Sequence, residues 1–356
     1  MRDKRFKCIT LLLLVLALLT GCGAASPALT GTNAAADPEA AERGYRYVDS
    51  MDTIIELTAY GRHREAALDA AEAEVLRLND LLSIGLEDSQ VSKLNREGSG
   101  TLGEDASYLV RRALEIFDST GGAFDLTVYP LMVLWGFTSG DYRVPAQAEI
   151  DATLTKVGAE RIDFDAESGA ITLDQGQEID LGGIAKGYTS QRIMDIYREN
   201  GVVSGLVSLG GNVQCLGSKP DGSDWRIGVR NPDTEAGGIV AIVSVTDRAV
   251  ISSGGYERFF TDSGVTYEHI MDPKTGRPVQ NELAQVTIVT ADGTLGDALS
   301  TALYILGLDA ACDYWRAHSG DFDAIFVLRD GSIFVTAGIE GCTRGVDGGP
   351  ALQIVR

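Results

Sequence analysis

Apolar residues recur along the chain with two different spacings, and each spacing predicts a different kind of element. Alternation over residues 45–60 predicts a strand, with Met51-Asp52-Thr53 inside it. Apolar residues three and four apart predict helices over residues 62–82 and 105–120. The polar segment between these helices, residues 83–95, is predicted to be a loop.

The rest of the chain alternates short strand-like segments with a few helical ones. Residues 122–137 mix aromatics, glycine and one acid without a regular period, which is typical of a core or lid segment, while a planar-ligand site is the sharper interpretation. Residues 161–173 predict a hairpin. Further elements are predicted as strands at 239–252, 256–261, 265–271 and 285–290, helices at 188–200, 294–306 and 309–318, and a hairpin across Asp330-Gly331. Many antiparallel strands with interspersed helices predict an α+β fold rather than a doubly wound one.

The N-terminal segment has the pattern of an export signal. Four basic residues among the first seven precede an apolar run from Ile9 to Leu19, which is shorter than the roughly 20 residues of a membrane span. The run ends in Leu19-Thr20-Gly21-Cys22, which resembles a bacterial lipobox. Residues 1–21 are therefore predicted to be a lipoprotein signal peptide, and Cys22 the acylated new N-terminus. An uncleaved short anchor is the alternative.

Two further segments follow the predicted lipid site. Residues 22–44 are rich in Ala, Pro, Asp and Glu, so they cannot bury enough apolar surface to fold and are predicted to be a flexible tether. Residues 45–356 contain no second linker and are predicted to form one large domain. The predicted location is extracytoplasmic, with the lipid holding the protein at the cell membrane.

The chain is strongly acidic, with a formal net charge of −21. Removal of residues 1–21 takes away four basic and one acidic side chain, which leaves −24 on the remainder. Nucleic acid is excluded as a partner because its phosphates would be repelled. The same field would repel any phosphate ligand, so a phosphate site here must carry its own cations, from a metal or from placed Lys and Arg side chains.

Five cysteines occur in the sequence, of which Cys8 leaves with the signal and Cys22 is the lipid site. The remaining Cys215, Cys312 and Cys342 have no CxxC spacing, so they form neither a disulfide framework nor a zinc site. We expect buried thiols, with one disulfide as the alternative.

The segment Ile179 to Gly187 joins one acid, several glycines and one lysine in a predicted strand-to-helix turn. Glycine lets a ligand or a metal approach the main chain closely, and the N-terminal amides of a helix favour negative charge. A phosphate-bearing molecule is the natural ligand of such a turn.

A second candidate lies on the predicted helix over residues 294–306. Asp297 and Thr301 are four residues apart, so their oxygens project from the same face. Magnesium takes about six oxygens, often from one or two carboxylates, with water and phosphate supplying the rest. In isolation such a pair is more often a helix cap with a solvated acid.

Eight motifs, each modest alone, occur together in a specific order. They are Met51-Asp52-Thr53, residues 83–95, residues 122–137, residues 180–187, Ser208-Leu209-Gly210-Gly211-Asn212, Ser253-Gly254-Gly255-Tyr256-Glu257-Arg258, His269-Ile270-Met271-Asp272-Pro273-Lys274-Thr275-Gly276 and Asp297-Ala298-Leu299-Ser300-Thr301-Ala302-Leu303. In combination they resemble the FAD:protein FMN transferase (ApbE) family over nearly all of residues 45–340. The resemblance implies an ApbE-type, T-fold-like domain of mainly antiparallel sheets with packed helices.

The resemblance also implies a function. The expected protein is an exported enzyme that binds FAD and Mg²⁺, moves FMN onto a threonine or serine hydroxyl of a target protein, and releases AMP. The targets of the family are flavin-carrying subunits of membrane redox pumps. The implied partners are thus FAD, a flavin-acceptor protein and the membrane.

Individual residues carry over from the family's motifs. The metal ligands become the main-chain carbonyl of Gly183 and the side chains of Asp297 and Thr301. Flavin-nucleotide contacts carry over to Met51, Ala123, Phe124, Asp125, Asp180, Lys186 and Met271. A lysine beside a diphosphate also supplies the local cation that the net charge otherwise denies, whereas an exposed surface lysine is the alternative for Lys186.

His269 is the candidate general base. An imidazole with an ordinary pKa of about 6.5 can accept the proton of an attacking hydroxyl near neutral pH. A histidine that only makes hydrogen bonds in a strand is the alternative, and Asp272 or a metal-bound water could act as the base instead. Asp297 is the second residue predicted to be essential for catalysis, through the metal.

Two positions depart from the family pattern. Gly85 stands where family members often carry an aromatic residue, and Gly255 stands where an acid or amide is expected before Tyr256. Residues 83–95 contain no aromatic side chain to stack on the flavin or adenine, whereas the metal set is unaffected.

Two other functions fit the same residues. An FAD pyrophosphatase would use water in place of the hydroxyl acceptor and release FMN and AMP. A flavin-binding lipoprotein without enzymatic activity would not need Gly183, Asp297 and Thr301 as metal ligands.

Overall fold

The computed structural model describes residues 41–233 and 235–356. The predicted signal peptide, the lipid site Cys22 and most of the predicted tether lie outside these residues, so the predicted domain bounds stay a prediction. The described residues form eight α-helices: α1 (Arg64–Leu82), α2 (Gln90–Glu97), α3 (Glu104–Ser119), α4 (Tyr129–Trp135), α5 (Gln147–Leu154), α6 (Gly182–Glu199), α7 (Gly293–Leu306) and α8 (Leu308–Ala317). Three short 3-10 turns cover Ala159–Arg161, Gly255–Glu257 and Ala337–Cys342.

Nineteen strands accompany these helices in the described chain. They are β1 (Arg43–Ser50), β2 (Thr53–Tyr60), β3 (Ser99–Thr101), β4 (Asp163–Phe164), β5 (Ala170–Thr172), β6 (Gly205–Leu209), β7 (Asn212–Leu216), β8 (Trp225–Arg230), β9 (Ile239–Val245), β10 (Ala249–Gly254), β11 (Phe259–Asp262), β12 (Val265–Glu268), β13 (Met271–Asp272), β14 (Arg277–Pro278), β15 (Leu283–Thr290), β16 (Phe322–Leu328), β17 (Ile333–Thr336), β18 (Thr343–Gly345) and β19 (Leu352–Val355). Nine of them form one sheet in the order β1-β2-β6-β7-β10-β15-β16-β17-β19. Two three-stranded sheets, β18-β9-β8 and β3-β5-β4, and two hairpins, β11-β12 and β13-β14, complete the set.

The large sheet lies between helices on one face and the sheet β18-β9-β8 on the other. Along β15, Ile288 belongs to the apolar cluster that includes α3, α7 and α8, whereas its neighbour Val289 belongs to the cluster that includes β8 and β9. Successive side chains of a strand point to opposite faces, so an uninterrupted apolar run lets β15 serve both cores. Its pairing with β10 and β16 is antiparallel, and the pairing of β17 with β19 is parallel.

Five predicted helices are confirmed, with ends that differ by a few residues. The helix predicted over residues 62–82 is α1, and Leu68, Val75 and Leu82 lie on its buried face as expected. The other four are α3, α6, α7 and α8. The predicted hairpins across residues 161–173 and Asp330-Gly331 are confirmed by the pairs β4-β5 and β16-β17.

Three predictions about elements outside residues 180–187 are wrong. Residues 45–60 are not one strand but the hairpin β1-β2, in which Ser50 pairs with Thr53 and the turn consists of Met51 and Asp52. Residues 239–252 are not one strand but β9 and β10, which belong to different sheets. Residues 83–95 are not all loop, because Ser89 caps α2 by accepting a hydrogen bond from the Ser92 amide.

Three cysteines lie in the described part of the chain, and all are free thiols. Cys215 and Cys312 are buried and Cys342 is partly exposed. Burial raises the pKa of Cys215 to about 12, which keeps this thiol protonated and unreactive at neutral pH. A search of the described helices found none with the length and apolarity that a membrane crossing requires.

Candidate functional site

The segment 180–187 enters α6 from irregular chain rather than from a strand, so the predicted strand before it is wrong. The Ile179 amide donates to Asn95 Oδ1 at 2.8 Å, and the Asp180 amide donates to the Leu126 carbonyl at 2.8 Å. These bonds go to two separate segments, which leaves no regular ladder for a strand. The start of the segment is instead held by these hydrogen bonds to Asn95 and Leu126.

Asp180 precedes the N-terminus of α6 and pairs with the first amide of this helix. Its Oδ1 accepts a hydrogen bond of 2.8 Å from the Gly182 amide, so one of the helix amides that could meet an anion is already paired. Burial raises the pKa of Asp180, while the Gly182 amide and the positive charges of Lys186 and Arg258 act in the opposite direction. Asp180 therefore lies close enough to both cations to interact with them.

Asp297 is a buried carboxylate, with 4% of its surface exposed. Oδ2 accepts a 2.8 Å hydrogen bond from the Gly187 amide of α6, and Oδ1 accepts a 3.1 Å bond from Asn212 Nδ2 at the start of β7. Burial raises the pKa of Asp297, and the charge of Lys186 opposes this effect. Each oxygen accepts one hydrogen bond and keeps a lone pair for a further partner.

Glycines allow α6 and α7 to approach at this point. A Cβ on Gly187 would overlap the carbonyl oxygen of Gly293 and lie 2.6 Å from the Asp297 Cβ. A Cβ on Gly293 would in turn lie 2.8 Å from Ser190 Oγ. Any larger side chain would separate the helices and pull Asp297 away from the Gly187 amide.

The same contacts fix the relative direction of the two helices. Ser190 lies beside Gly293, and Gly187 lies beside Asp297, so α6 and α7 run antiparallel where they touch. One turn from this contact, Gly183 precedes Gly187 on α6 and Thr301 follows Asp297 on α7, and residues four apart share a helix face. The contact itself therefore contains Asp297, while a Cβ on Gly183 would meet the Phe124 ring.

Thr301 is tied to the large sheet through Ser253 of β10. Ser253 Oγ lies 3.2 Å from Thr301 Oγ1 and 2.7 Å from Ser300 Oγ. The hydroxyl of Thr301 is therefore oriented by Ser253. Its oxygen keeps a lone pair with which to accept a hydrogen bond or bind a metal ion.

The residues at this contact suit a hard cation. Among the residues that the structure describes, no group of three or more His, Cys, Asp or Glu side chains is placed to hold a metal ion. A magnesium site in this part of the chain would have to combine one carboxylate with carbonyl and hydroxyl oxygens, which is the donor set of Asp297, Gly183 and Thr301. A cation would also offset the unfavourable burial of the Asp297 charge.

His269 follows the last residue of β12 and is anchored to Arg258. Its amide donates to the Arg258 carbonyl at 3.0 Å, and its Nδ1 lies 3.3 Å from the same oxygen. Burial and the charges of Arg258 and Lys186 lower the pKa of His269 to about 4. The imidazole is therefore neutral at pH 7, and an Nδ1 proton shared with the Arg258 carbonyl leaves Nε2 as the free acceptor.

The carboxylate of Asp272, the alternative base, accepts hydrogen bonds within a turn. Its Oδ1 accepts from the Lys274 amide and its Oδ2 from Thr275 Oγ1, each at 2.9 Å. Both bonds stabilise the hairpin β13-β14. This geometry favours His269 over Asp272 as the proton acceptor.

The other predicted nucleotide contacts fall into two groups. Met51 lies in the β1-β2 turn, and the Phe124 ring packs against the start of α6, where it would lie 3.1 Å from a Cβ on Gly183. Asp125 and Met271 are committed to the protein interior: the Asp125 Oδ1 accepts from the Thr127 amide and hydroxyl, and Met271 is in the apolar cluster around Trp135. Ala123 is also buried. Their roles toward a nucleotide stay predictions.

Three residues of the site were missed by sequence reasoning, although each lies in a quoted motif. Asn212 joins Asp297 to β10, because its Oδ1 also accepts from the Ser252 amide at 3.2 Å. Arg258 adds a cation near Asp180 and His269, and Ser253 orients Thr301. Each is far in sequence from the side chain it serves, so periodicity carries no signal for these contacts.

The known proteins to which this chain is similar belong to one family. A model of the ApbE family matches residues 51–326. The chain is 33% identical over 291 residues to an FAD:protein FMN transferase of Klebsiella pneumoniae (strain 342), a match that covers 81% of this chain and 90% of the relative. It is also 33% identical over 318 residues to the FAD:protein FMN transferase of Treponema pallidum (strain Nichols), covering 83% of this chain and 88% of the relative.

A solved structure extends the likeness to three dimensions. The ApbE protein of Thermotoga maritima matches with a TM-score of 0.78 and 31% sequence identity, over 85% of this chain and 100% of that one. These findings confirm the predicted α+β fold class and the predicted enzyme class. The chain therefore belongs to the ApbE family.

Proposed function

We propose that this protein is a magnesium-dependent FAD:protein FMN transferase that attaches FMN to a threonine or serine hydroxyl of an acceptor protein and releases AMP. The observation that carries the proposal is the contact of α6 with α7, where the buried Asp297 accepts a hydrogen bond from the Gly187 amide and Lys186 directly precedes that glycine. An acidic protein needs such a local cation to hold a diphosphate.

The reaction is a phosphoryl transfer. The acceptor hydroxyl oxygen forms a bond to the FMN-side phosphorus of FAD, the bond from that phosphorus to the bridging oxygen breaks, and AMP leaves with that oxygen. His269 Nε2 accepts the hydroxyl proton, which its neutral state at pH 7 allows. Lys186 and Arg258 offset the charge of the diphosphate.

Asp297, Thr301 and the Gly183 carbonyl would hold the magnesium ion. When bound, magnesium supplies Lewis-acid polarisation of the phosphate and stabilises charge on the leaving oxygen. Asn212 and the Gly187 amide hold the Asp297 carboxylate in place for this role.

The proposal includes a location and a partner. Cys22, outside the described residues, would carry a lipid that holds the domain at the extracytoplasmic face of the membrane. The acceptor would be a membrane protein with an extracytoplasmic segment, in keeping with a subunit of a redox pump.

The test is a flavin-transfer assay. Residues 23–356, FAD, Mg²⁺ and a protein that bears the acceptor threonine should give an acceptor whose mass, by intact-protein mass spectrometry, has increased by one FMN moiety. Free FMN and AMP without an adduct would favour the pyrophosphatase, and unchanged FAD would favour a flavin-binding lipoprotein.

A pair of matched variants tests the metal assignment. Asp297→Ala should lower the magnesium-dependent rate by about 100-fold or more, because it removes the one carboxylate of the proposed donor set. Asp313→Ala is the control, since Asp313 is an exposed acid that pairs with Arg316 on α8. Full activity in Asp297→Ala would contradict the assignment.

A further inference from the structure

Gly255 marks an unusual feature beside the candidate base. Its φ angle is not in the left-handed region that favours glycine, so its backbone does not require one. Glycine is required by the surrounding space, because a Cβ on Gly255 would overlap the carboxylate of Glu268. The volume into which a side chain of residue 255 would extend is filled by that carboxylate.

Glu268 is a buried acid with complete pairing, and 6% of its surface is exposed. Its Oε2 accepts a 2.6 Å hydrogen bond from the Tyr304 hydroxyl, and its Oε1 lies 2.9 Å from Arg329 Nη2. The same Arg329 nitrogen donates to the Tyr304 hydroxyl at 3.1 Å. A buried carboxylate is tolerated when it is paired and hydrogen-bonded in this way.

This cluster connects three parts of the candidate site. Tyr304 is on α7, one turn beyond the predicted metal ligand Thr301. Glu268 is the last residue of β12 and directly precedes His269. Gly255 begins the 3-10 turn that leads to Arg258, whose carbonyl anchors His269. The carboxylate of Glu268 thus touches both chain segments that hold the imidazole.

We propose that Glu268 is a positioning residue for His269 and that its carboxylate takes the place of the acid or amide side chain that the sequence resemblance leads one to expect at residue 255. The inference rests on the proposed function for the role of His269. Glu268 holds the end of β12 against α7 through Tyr304 and presses against the turn that carries Arg258. The two positions exclude each other, because one volume accommodates one acidic side chain.

The mutual exclusion of acidic side chains at residues 255 and 268, called the exchange below, is tested first by thermal stability. This test needs no substrate. Gly255→Asp should lower the thermal midpoint because it overlaps Glu268, and Glu268→Ala should lower it because Tyr304 and Arg329 lose their acceptor. The double variant Gly255→Asp/Glu268→Ala should recover most of the loss. A Gly255→Asp variant as stable as the parent, or a double variant no more stable than either single one, would overturn the exchange.

The role toward His269 is tested by kinetics. Glu268→Ala should lower kcat by tenfold or more and change the KM for FAD less than twofold, whereas Glu268→Gln, which keeps an acceptor of the same shape, should stay within about threefold of the parent. In a His269→Ala background, Glu268→Ala should cause no further loss. An equal loss in that background, or an effect confined to KM, would overturn the positioning role.

The two proposals fail in different ways. If the parent enzyme neither transfers FMN nor cleaves FAD, the proposed function is wrong, and the thermal midpoints of the three variants still decide whether residues 255 and 268 exchange one carboxylate. If the parent is active and the kinetic pattern above is absent, only the positioning role of Glu268 is wrong.

Discussion

Lys186 shows how one side chain can organise a site in an acidic protein. It lies in the second turn of α6, a few residues later than the helix start at which the sequence predicted it. Its charge favours the ionised forms of Asp180 and Asp297 and disfavours a protonated His269. Burial is the larger effect and disfavours the charged form of all three groups, so Lys186 offsets part of it at the two carboxylates and adds to it at the imidazole.

The lowered pKa of His269 gives a prediction for the pH dependence of the reaction. A base with a pKa of about 4 in the free enzyme is neutral above that value, so kcat/KM for FAD should stay level from pH 7 down to about pH 5 and decline only near pH 4. The profile is measured with FAD far below its KM, on protein that remains folded by circular dichroism.

His269→Ala is the matched control for this profile. It should lose this acid limb together with most of its activity, because the titrating base is absent. An acid limb near pH 6.5 in the parent enzyme would show an unperturbed imidazole and contradict the prediction.

At the scale of elements, the antiparallel contact of α6 and α7 decides the geometry of the site. Periodicity predicted both helices, and the spacing of Asp297 and Thr301 placed them on one face. That this face meets Gly187 could not follow from local pattern, because the Gly187 amide and the Asp297 carboxylate are separated by 110 residues. The family resemblance supplied that link.

The helix contact gives a stability prediction. Gly187→Ala should lower the free energy of unfolding by about 1–3 kcal/mol, because the added methyl overlaps the Gly293 carbonyl in a closely packed contact. Urea denaturation measures the change. Gly341→Ala is the control, since a Cβ at Gly341 meets open space and its φ is ordinary, and this variant should stay within about 0.5 kcal/mol of the parent. Equal midpoints for both variants would contradict the close contact.

Two mistaken strand predictions share one physical cause. The turn between β1 and β2 consists of Met51 and Asp52, with φ of 52° and 56°, and the break between β9 and β10 contains Asp247, with φ of 50°. Residues other than glycine rarely adopt this left-handed conformation, so a sequence scan for Gly and Pro turn signals does not find these turns. The turn between β6 and β7, by contrast, consists of Gly210 and Gly211 and carries the signal that such a scan detects.

At the scale of the whole molecule, charge and location belong together. A formal charge of −21 disfavours any anionic substrate over most of the surface, which makes Lys186 on α6 and Arg258 the places where the proposed diphosphate ligand would be accepted. The proposed lipid at Cys22 would confine the enzyme to the membrane that carries its proposed acceptor.

The proposed anchor gives a prediction about cell fractions. Cys22→Ser removes the thiol that would be acylated, so the protein should fail to incorporate a radiolabelled fatty acid and should no longer partition into detergent as a processed lipoprotein. Cys8→Ser is the matched control, because Cys8 lies within the predicted signal, and it should label and partition like the parent. Unchanged labelling of Cys22→Ser would show that Cys22 is not the lipid site.

The mutual exclusion of side chains at residues 255 and 268 has a consequence for the evolution of this protein. A lineage that carries glycine and glutamate at these positions cannot gain an acid at 255 without a clash, and cannot lose Glu268 without removing the carboxylate that Tyr304 and Arg329 share. Both single steps pass through a less stable protein, so the pair should be inherited together. Sequences that differ at one position should then differ at the other, which makes the pair a marker for a branch within the family.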